Sequence, residues 1–440
     1  MHPIFHFCIL AVLFQTSVAQ DTQKSTDAQP SMKMPGMSDT EGTAMHMHAT
    51  SLIEMLQSHT TAGTDAQPVS TPQEMLMGEK STWTFMLHGD AFVADIQQSG
   101  PRGGDKFFST NWIMPMAQRK FGNGTLTLRT MLSLEPATIS KRRYPELFQQ
   151  GETAFGKPIA DGQHPHDLFM ELAALYDYRP SENWLFSAYF APMGDPAMGP
   201  VAYPHRASAS ENALAPLGHH LEDSTHIVSD VLTVGVTYRA VRIEASGFHG
   251  REPDEHRWNI DPGKLDSWST RATFAPGQNW AMQYSLAQLH SPEAAAAQND
   301  IRRMTASVSY NRPIRDGNWS SMALWGRNQS LLDGNIGNSY LLESTLKFLN
   351  KNYAWTRIEN ADRTNELLLG ENLPPPGFSE KYFTRVQAYT AGYDREVGRI
   401  PHLLTALGGQ FTWYGVPVVL RPSYGTHPVA AVLFLRMRIH

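Results

Sequence analysis

Eight of the chain's eighteen histidines fall between Asp161 and His256, and carboxylates stand beside most of them. The stretch opens with Asp161-Gly162-Gln163-His164-Pro165-His166-Asp167, with Glu171 following on. It continues through Tyr203-Pro204-His205-Arg206 and Gly218-His219-His220-Leu221-Glu222-Asp223-Ser224-Thr225-His226, and closes on His249-Gly250-Arg251-Glu252-Pro253-Asp254-Glu255-His256. Neutral imidazole and carboxylate are ordinary ligands of zinc, copper and nickel. A metal reading therefore takes His164, His166, Asp167, His219, His220, Glu222, Asp223, His226 and His256 as candidate ligands. No HExxH or other fixed-spacing metal motif accompanies them. The same residues equally fit a hydrogen-bonded loop network that packs an interior and narrows it.

A second set lies nearer the N-terminus, where Met32, Met34 and Met37 precede Met45-His46-Met47-His48. Thioether sulfur suits soft Cu(I), and imidazole takes Cu(II) or zinc. The segment reads as a copper-capturing tail, against the plainer reading of chance enrichment in a linker. The only cysteine is Cys8, so the rest of the chain can build no disulfide framework, Cys-ligated zinc site, iron–sulfur cluster or thiol nucleophile. Copper or zinc is the one cofactor class the residues suggest. Hydrolysis has thinner support: there is no GxSxG elbow, and Ser224, between Asp223 and His226, is the one compact Ser/His/Asp grouping. Side chains two residues apart on a strand share a face without meeting as nucleophile and base must. The expectation is that the chain is not an enzyme. With 36 Lys plus Arg against 42 Asp plus Glu, the formal charge of −6 offers no basic field for a polyanion, which excludes a dedicated nucleic-acid binder.

The elements that must position these groups begin with an export signal. Residues 5–14 form an apolar run followed by Ser17-Val18-Ala19, which reads as a signal peptide over 1–19 and is shorter than the ~20 apolar residues a membrane helix needs. From 20 to 81 the composition turns to Ser, Thr, Asp, Gln, Pro and Met, the makings of a flexible, disordered tether. Within it, residues 51–59 (SLIEMLQSH) carry Leu52, Ile53, Met55 and Leu56 on one side of a short amphipathic helix. From Thr82 to His440 period-two alternation takes over. Trp268, Thr270, Ala272 and Phe274 interleave with Ser267, Ser269, Arg271 and Thr273, and Leu433, Leu435, Met437 and Ile439 oppose Arg436 and Arg438. Aromatics cluster at the ends of the apolar faces, as in the interfacial girdles of membrane barrels. The pattern predicts an all-β fold: a closed antiparallel transmembrane β-barrel of about sixteen strands. Its lumen-facing charges would be Arg129, Glu171, Glu244, Arg271, Arg303, Glu343, Lys347, Arg385, Arg436 and Arg438, either as selectivity rings or as paired charges filling a narrow interior.

Over residues 158–171 (PIADGQHPHDLFME), 199–206 (GPVAYPHR), 215–220 (APLGHH), 223–226 (DSTH) and 250–255 (GREPDE), the chain resembles a family of Gram-negative outer-membrane β-barrel proteins often associated with heavy-metal resistance loci. The resemblance implies export and a barrel, and supplies neither a substrate nor catalytic residues. The resulting expectation is an outer-membrane, porin-like channel linked to copper or zinc handling. Its partners would be outer-membrane lipid, small solutes or metal ions, with a homo-oligomer compatible. The alternatives are an exported all-β metal-binding protein without a pore, or a barrel hydrolase.

Overall fold

A computed structural model describes residues 49–154, 156–293 and 297–439. The signal segment and Met45, His46, Met47 and His48 lie outside these residues. No helix among the described residues is long and apolar enough to cross a membrane; the chain crosses with strands. Sixteen of them close a barrel: β1 (Trp83–Gln98), β2 (Asp105–Phe121), β3 (Gly124–Leu132), β4 (Phe169–Ser181), β5 (Trp184–Gly194), β6 (Val228–Tyr238), β7 (Val241–His249), β8 (Ser267–Phe274), β9 (Trp280–Leu289), β10 (Ile301–Ile314), β11 (Gly317–Ser330), β12 (Ile336–Phe348), β13 (Asn352–Thr364), β14 (Tyr382–Ile400), β15 (Leu403–Gly415) and β16 (Val429–Ile439). Every neighbouring pair is antiparallel. The ring closes where β16 meets β1, from Gly89 opposite Ile439 to Gln98 opposite Ala430, so no strand edge is left unpaired in lipid. The predicted architecture and strand number are observed.

The period-two pattern dictates an inside-out distribution. In β8 the polar Ser267, Ser269, Arg271 and Thr273 are buried in the lumen, while Trp268, Thr270, Ala272 and Phe274 are exposed. Leu433, in the middle of β16, is 71% exposed, whereas Arg129, Arg242, Arg303 and Arg436 are among the most completely buried side chains. A soluble protein does not present such an apolar outer face to water; hydrocarbon is the medium that suits it. Trp184 packs on Tyr238, and Trp280 on Tyr310, at the ends of their strands, forming a girdle at one lipid–water boundary. Connections at that end are short, as at 182–183, 239–240 and 315–316, where Asp316 takes the positive φ a tight hairpin needs. The opposite end carries the long connections 133–168, 195–227, 250–266 and 365–381.

The segment read as tether departs from expectation over residues 49–81, which hold a helix, a short strand and ordered connections. Helix α1 (Leu52–Gln57) is capped by Ser51, whose hydroxyl accepts from the Glu54 backbone N–H at 3.3 Å, while the Glu54 carboxylate accepts from the Thr50 N–H at 2.8 Å. Leu52, Ile53, Met55 and Leu56 are buried with Val69 and Leu185. A helix this short is marginal alone, and burial against the barrel wall supplies what its length cannot. The chain then runs through the lumen, and Leu76–Lys80 pairs with β1. Composition alone hid this insertion, because a lumen is lined by polar groups and its plug needs few apolar residues.

Candidate functional site

Most of the predicted lumen charges do face inward, and they are paired. Arg129 donates to Glu171 at 2.6 Å, and the same carboxylate accepts from Tyr189 and from the backbone N–H of Gly63 in the inserted segment. Arg271 bridges Glu244 and Asp65. Arg303 donates to Asn328 and Ser224, Arg436 joins Glu211 and Asp394, and Arg438 joins Asp90 and Glu211. Lys347 lies 3.5 Å from Glu74. Glu343 receives Arg357 at 3.2 Å and Arg206, from the long connection 195–227, at 2.6 Å. These are the paired charges of a filled interior rather than free rings. Arg385 is a correction: it lies on the outward face of β14 between Phe383 and Gln387, paired with Asp362 and set over the Tyr340 ring. Its strand begins with adjacent aromatics, Tyr382 and Phe383, so the alternation there has no unambiguous phase.

Two long connections fold back into the barrel and bring together histidines that are far apart in sequence. The Nε2 atoms of His166 and His226 face each other at 3.4 Å. The His219 ring lies 5.2 Å from that of His226, and Tyr203 packs against His166, His219 and His226. Each of these imidazoles turns Nδ1 toward an acceptor: His166 toward Glu135 at 3.0 Å, His219 toward the Asp223 carboxylate at 2.7 Å, and His226 toward the Asp223 carbonyl at 2.7 Å. Carboxylate and carbonyl oxygens only accept, so Nδ1 carries the hydrogen, and in the neutral imidazole Nε2 then holds the lone pair. Carboxylates holding the far nitrogen are what orients metal-ligating histidines elsewhere.

The electrostatics match this arrangement. Burial, with His219 and His166 nearby, pushes His226 down to about 3. Burial also lowers His219. For His166 burial works against the charge, but Glu135 outweighs it and raises the group above its ordinary value. Asp223 sits well below the usual carboxylate range because His219 and Arg206 overcome the burial penalty.

Other predicted ligands do not join. His256 is exposed and pairs with Asp254. Asp167 holds Arg257 at 3.3 Å, His220 approaches Glu252 at 3.7 Å, and His164 turns Nδ1 to the Pro165 carbonyl. Glu222 is buried, and burial raises it to about 8 with Asp223 beside it. Among the described residues no group of three or more His, Cys, Asp or Glu side chains is arranged to hold a metal ion. What the fold offers is a facing pair of nitrogens. Ser224 accepts from Arg303 at 2.8 Å, while His226 turns Nδ1 to the Asp223 carbonyl and Nε2 toward His166, so this grouping holds no nucleophile and base in contact.

The histidine layer partitions the lumen. On its long-loop side lies a cavity of about 510 Å³ that touches His164, His166, His219, His226 and His256. On its short-turn side lies one of about 160 Å³ touching His88, Asp90, Trp112, His205, Lys347 and Arg438. Residues 203–205 cross between them: Tyr203 contacts the outer histidines, and the His205 Nε2 reaches the Met131 sulfur at 3.2 Å. Sequence reasoning missed Glu135 and His88 as members of this region. Glu135 and His88 have no histidine neighbour in the chain, and only the register and the loop fold bring them here.

No protein-family model and no curated protein matches the chain. Among solved structures it is similar to the anion-selective porin from Comamonas acidovorans, at 8% identity and a TM-score of 0.50, covering 81% of this chain and 100% of that one. It is likewise similar to OprB of Pseudomonas putida, at 10% identity and a TM-score of 0.50, covering 81% and 94%. The likeness is one of fold. The resemblance to outer-membrane barrels holds at that level, and these matches carry no link to heavy-metal resistance. The porin fold and the apolar outer face together place the chain in the Gram-negative outer membrane.

Proposed function

We propose that this barrel is a porin-like channel, held narrow by its own inserted chain, that admits small solutes and passes metal cations such as Zn²⁺ or Cu²⁺ across its histidine partition. The observation that carries the reading is the facing pair His166 and His226. Two nitrogens about 2.0–2.1 Å from a tetrahedral zinc lie roughly 3.3 Å apart, and the Nε2 atoms stand at 3.4 Å, each offering a lone pair to the gap once His166 is in its neutral form. Two protein nitrogens, completed by water from the outer cavity, make a weak site. A conducted ion needs a site that it can leave, whereas a resident cofactor would call for three or four ligands.

Single-channel conductance of the purified full chain in a planar bilayer, with and without micromolar Zn²⁺, tests this. Metal-dependent block that disappears in His166→Ala and His226→Ala supports the reading. A folded barrel that never conducts favours instead an outer-membrane metal-binding barrel, a reading supported by the segment 49–75 inside the lumen. Conductance indifferent to metal removes the metal and leaves a porin.

A further inference from the structure

We propose that a second, chemically distinct site lies on the inner side of the partition: a methionine band on β1–β5 that, with His205, binds a soft monovalent cation, Cu⁺ or Ag⁺. This goes beyond the outer histidine pair and stands whether or not that pair binds metal.

The band consists of Met86 on β1, Met114 and Met116 on β2, Met131 on β3, Met170 on β4 and Met193 on β5, all buried in one cluster. The five strands are consecutive around the wall. Met86 stands directly opposite Met116, and Met114 directly opposite His88, so sulfur and imidazole share one inward-facing patch. The other large buried clusters are built from Leu, Val, Ile, Phe, Tyr, Trp and Ala, with Met198 the single methionine among them. Apolar packing by itself favours such residues, because Met is unbranched and specifies shape poorly. A concentration of thioethers in one patch therefore calls for a reason beyond filling space, and the property peculiar to thioether is its softness as a ligand.

Two features make the patch a site rather than a packed core. First, the His205 Nε2 already stands 3.2 Å from the Met131 sulfur, so a nitrogen and a sulfur converge. Second, His205 is reachable: with His88 and Trp112 it lines the inner cavity of about 160 Å³. Trp112 packs on His205 with ring centroids 4.4 Å apart, and the His88 ring centroid lies 5.8 Å from that of His205. The ligand set contains thioether and imidazole without carboxylate, and a net-neutral shell of this kind takes a soft monovalent ion in preference to hard Mg²⁺ or Ca²⁺.

The test is an Ag⁺ titration of the full chain in detergent and chloride-free buffer, read as bound equivalents. It is paired with X-ray absorption on the loaded protein to detect sulfur neighbours. The Met116→Leu/Met131→Leu double variant conserves volume and keeps the barrel closed, as heat-modifiable migration verifies. It is expected to bind one equivalent fewer than the parent and to lose sulfur scattering, with any silver held elsewhere in the chain common to both. His205→Gln, in a connection rather than a strand, is expected to weaken the site at least tenfold and serves if the double variant fails to fold. The His166→Ala/His226→Ala variant is expected to retain the silver that shows sulfur neighbours. Unchanged silver binding in the folded double variant, or in His205→Gln should the double variant not fold, overturns the proposal; so does loss of the silver with sulfur neighbours in the histidine double variant, because that ion would then belong to the outer pair.

Discussion

Replacing Arg206 with Met separates a loop that is merely near the lumen from one that is locked into it. Arg206 sits in the connection 195–227 and donates to Glu343 on the wall at 2.6 Å, to Asp223 at 3.1 Å and to the Val201 carbonyl at 3.2 Å, all buried. Removing one partner of a buried ion pair costs about 3–5 kcal/mol, because the other is left charged and unpaired. Here the loss falls at the lower end: Glu343 keeps Arg357 and the Ser208 hydroxyl, and Asp223 keeps His219. About 3 kcal/mol corresponds to roughly a hundredfold shift in the balance between docked and undocked loop. The barrel wall should stay intact, since its ladder hydrogen bonds are untouched. Two measurements follow the loop: amide hydrogen exchange across 195–227, expected to speed by about that factor, and single-channel conductance, expected to gain a larger open level as the two cavities merge. Parental protection in this loop together with parental conductance would refute the reasoning, since the loop would then be held by something other than this guanidinium.

The inserted N-terminal segment gives a parallel expectation: Glu171→Gln weakens the acceptor of the Gly63 N–H and loosens Arg129, which donates to the His59 and Gly63 carbonyls, and limited proteolysis should cut residues 59–65 faster while the barrel remains resistant. Leu433→Arg places a charge on the lipid-facing face of β16 and should cost about 2–4 kcal/mol, read from the urea midpoint for refolding in lipid vesicles; an unshifted midpoint would mean that this face is not in hydrocarbon. Zinc at the His166–His226 pair should weaken with acid, because Glu135 raises the pKa of His166 and a proton then competes for the same nitrogen. Below that pKa the affinity should fall about tenfold per pH unit, measured by competition with a zinc-sensitive dye, and a flat profile from pH 8 to 5 would contradict it. Deleting residues 20–48 should lower copper stoichiometry and leave the barrel folded, whereas deleting 20–81 should also destabilise it by stripping Leu52, Ile53, Met55 and Leu56 from the interior; equal copper binding after the shorter deletion ends the proposed role of the tail.

Much of the architecture was legible because the forces that set it are local. A strand between lipid and an aqueous lumen must alternate, so Ser267 to Phe274 and Val429 to Ile439 declare their two faces without reference to any other part of the chain. Where two adjacent aromatics blurred the phase, at Tyr382 and Phe383, Arg385 was assigned to the wrong face. The insertion of residues 49–75 was invisible, because a plug for a polar lumen has the composition of a linker and differs from one only in having partners.

The site itself was half legible. The types of residue between Asp161 and His256 announced imidazole and carboxylate chemistry. That His166 meets His226 while His256 does not was decided by how two long connections fold back into the barrel. The methionine band was still less visible, since its members lie one or two to a strand from Met86 to Met193, and no local window holds more than two. Alternation is a property of neighbours along the chain, and sequence suffices to determine it. Convergence of side chains from five strands and two loops depends on register and on closure of the ring, and those exist only once the whole barrel has formed.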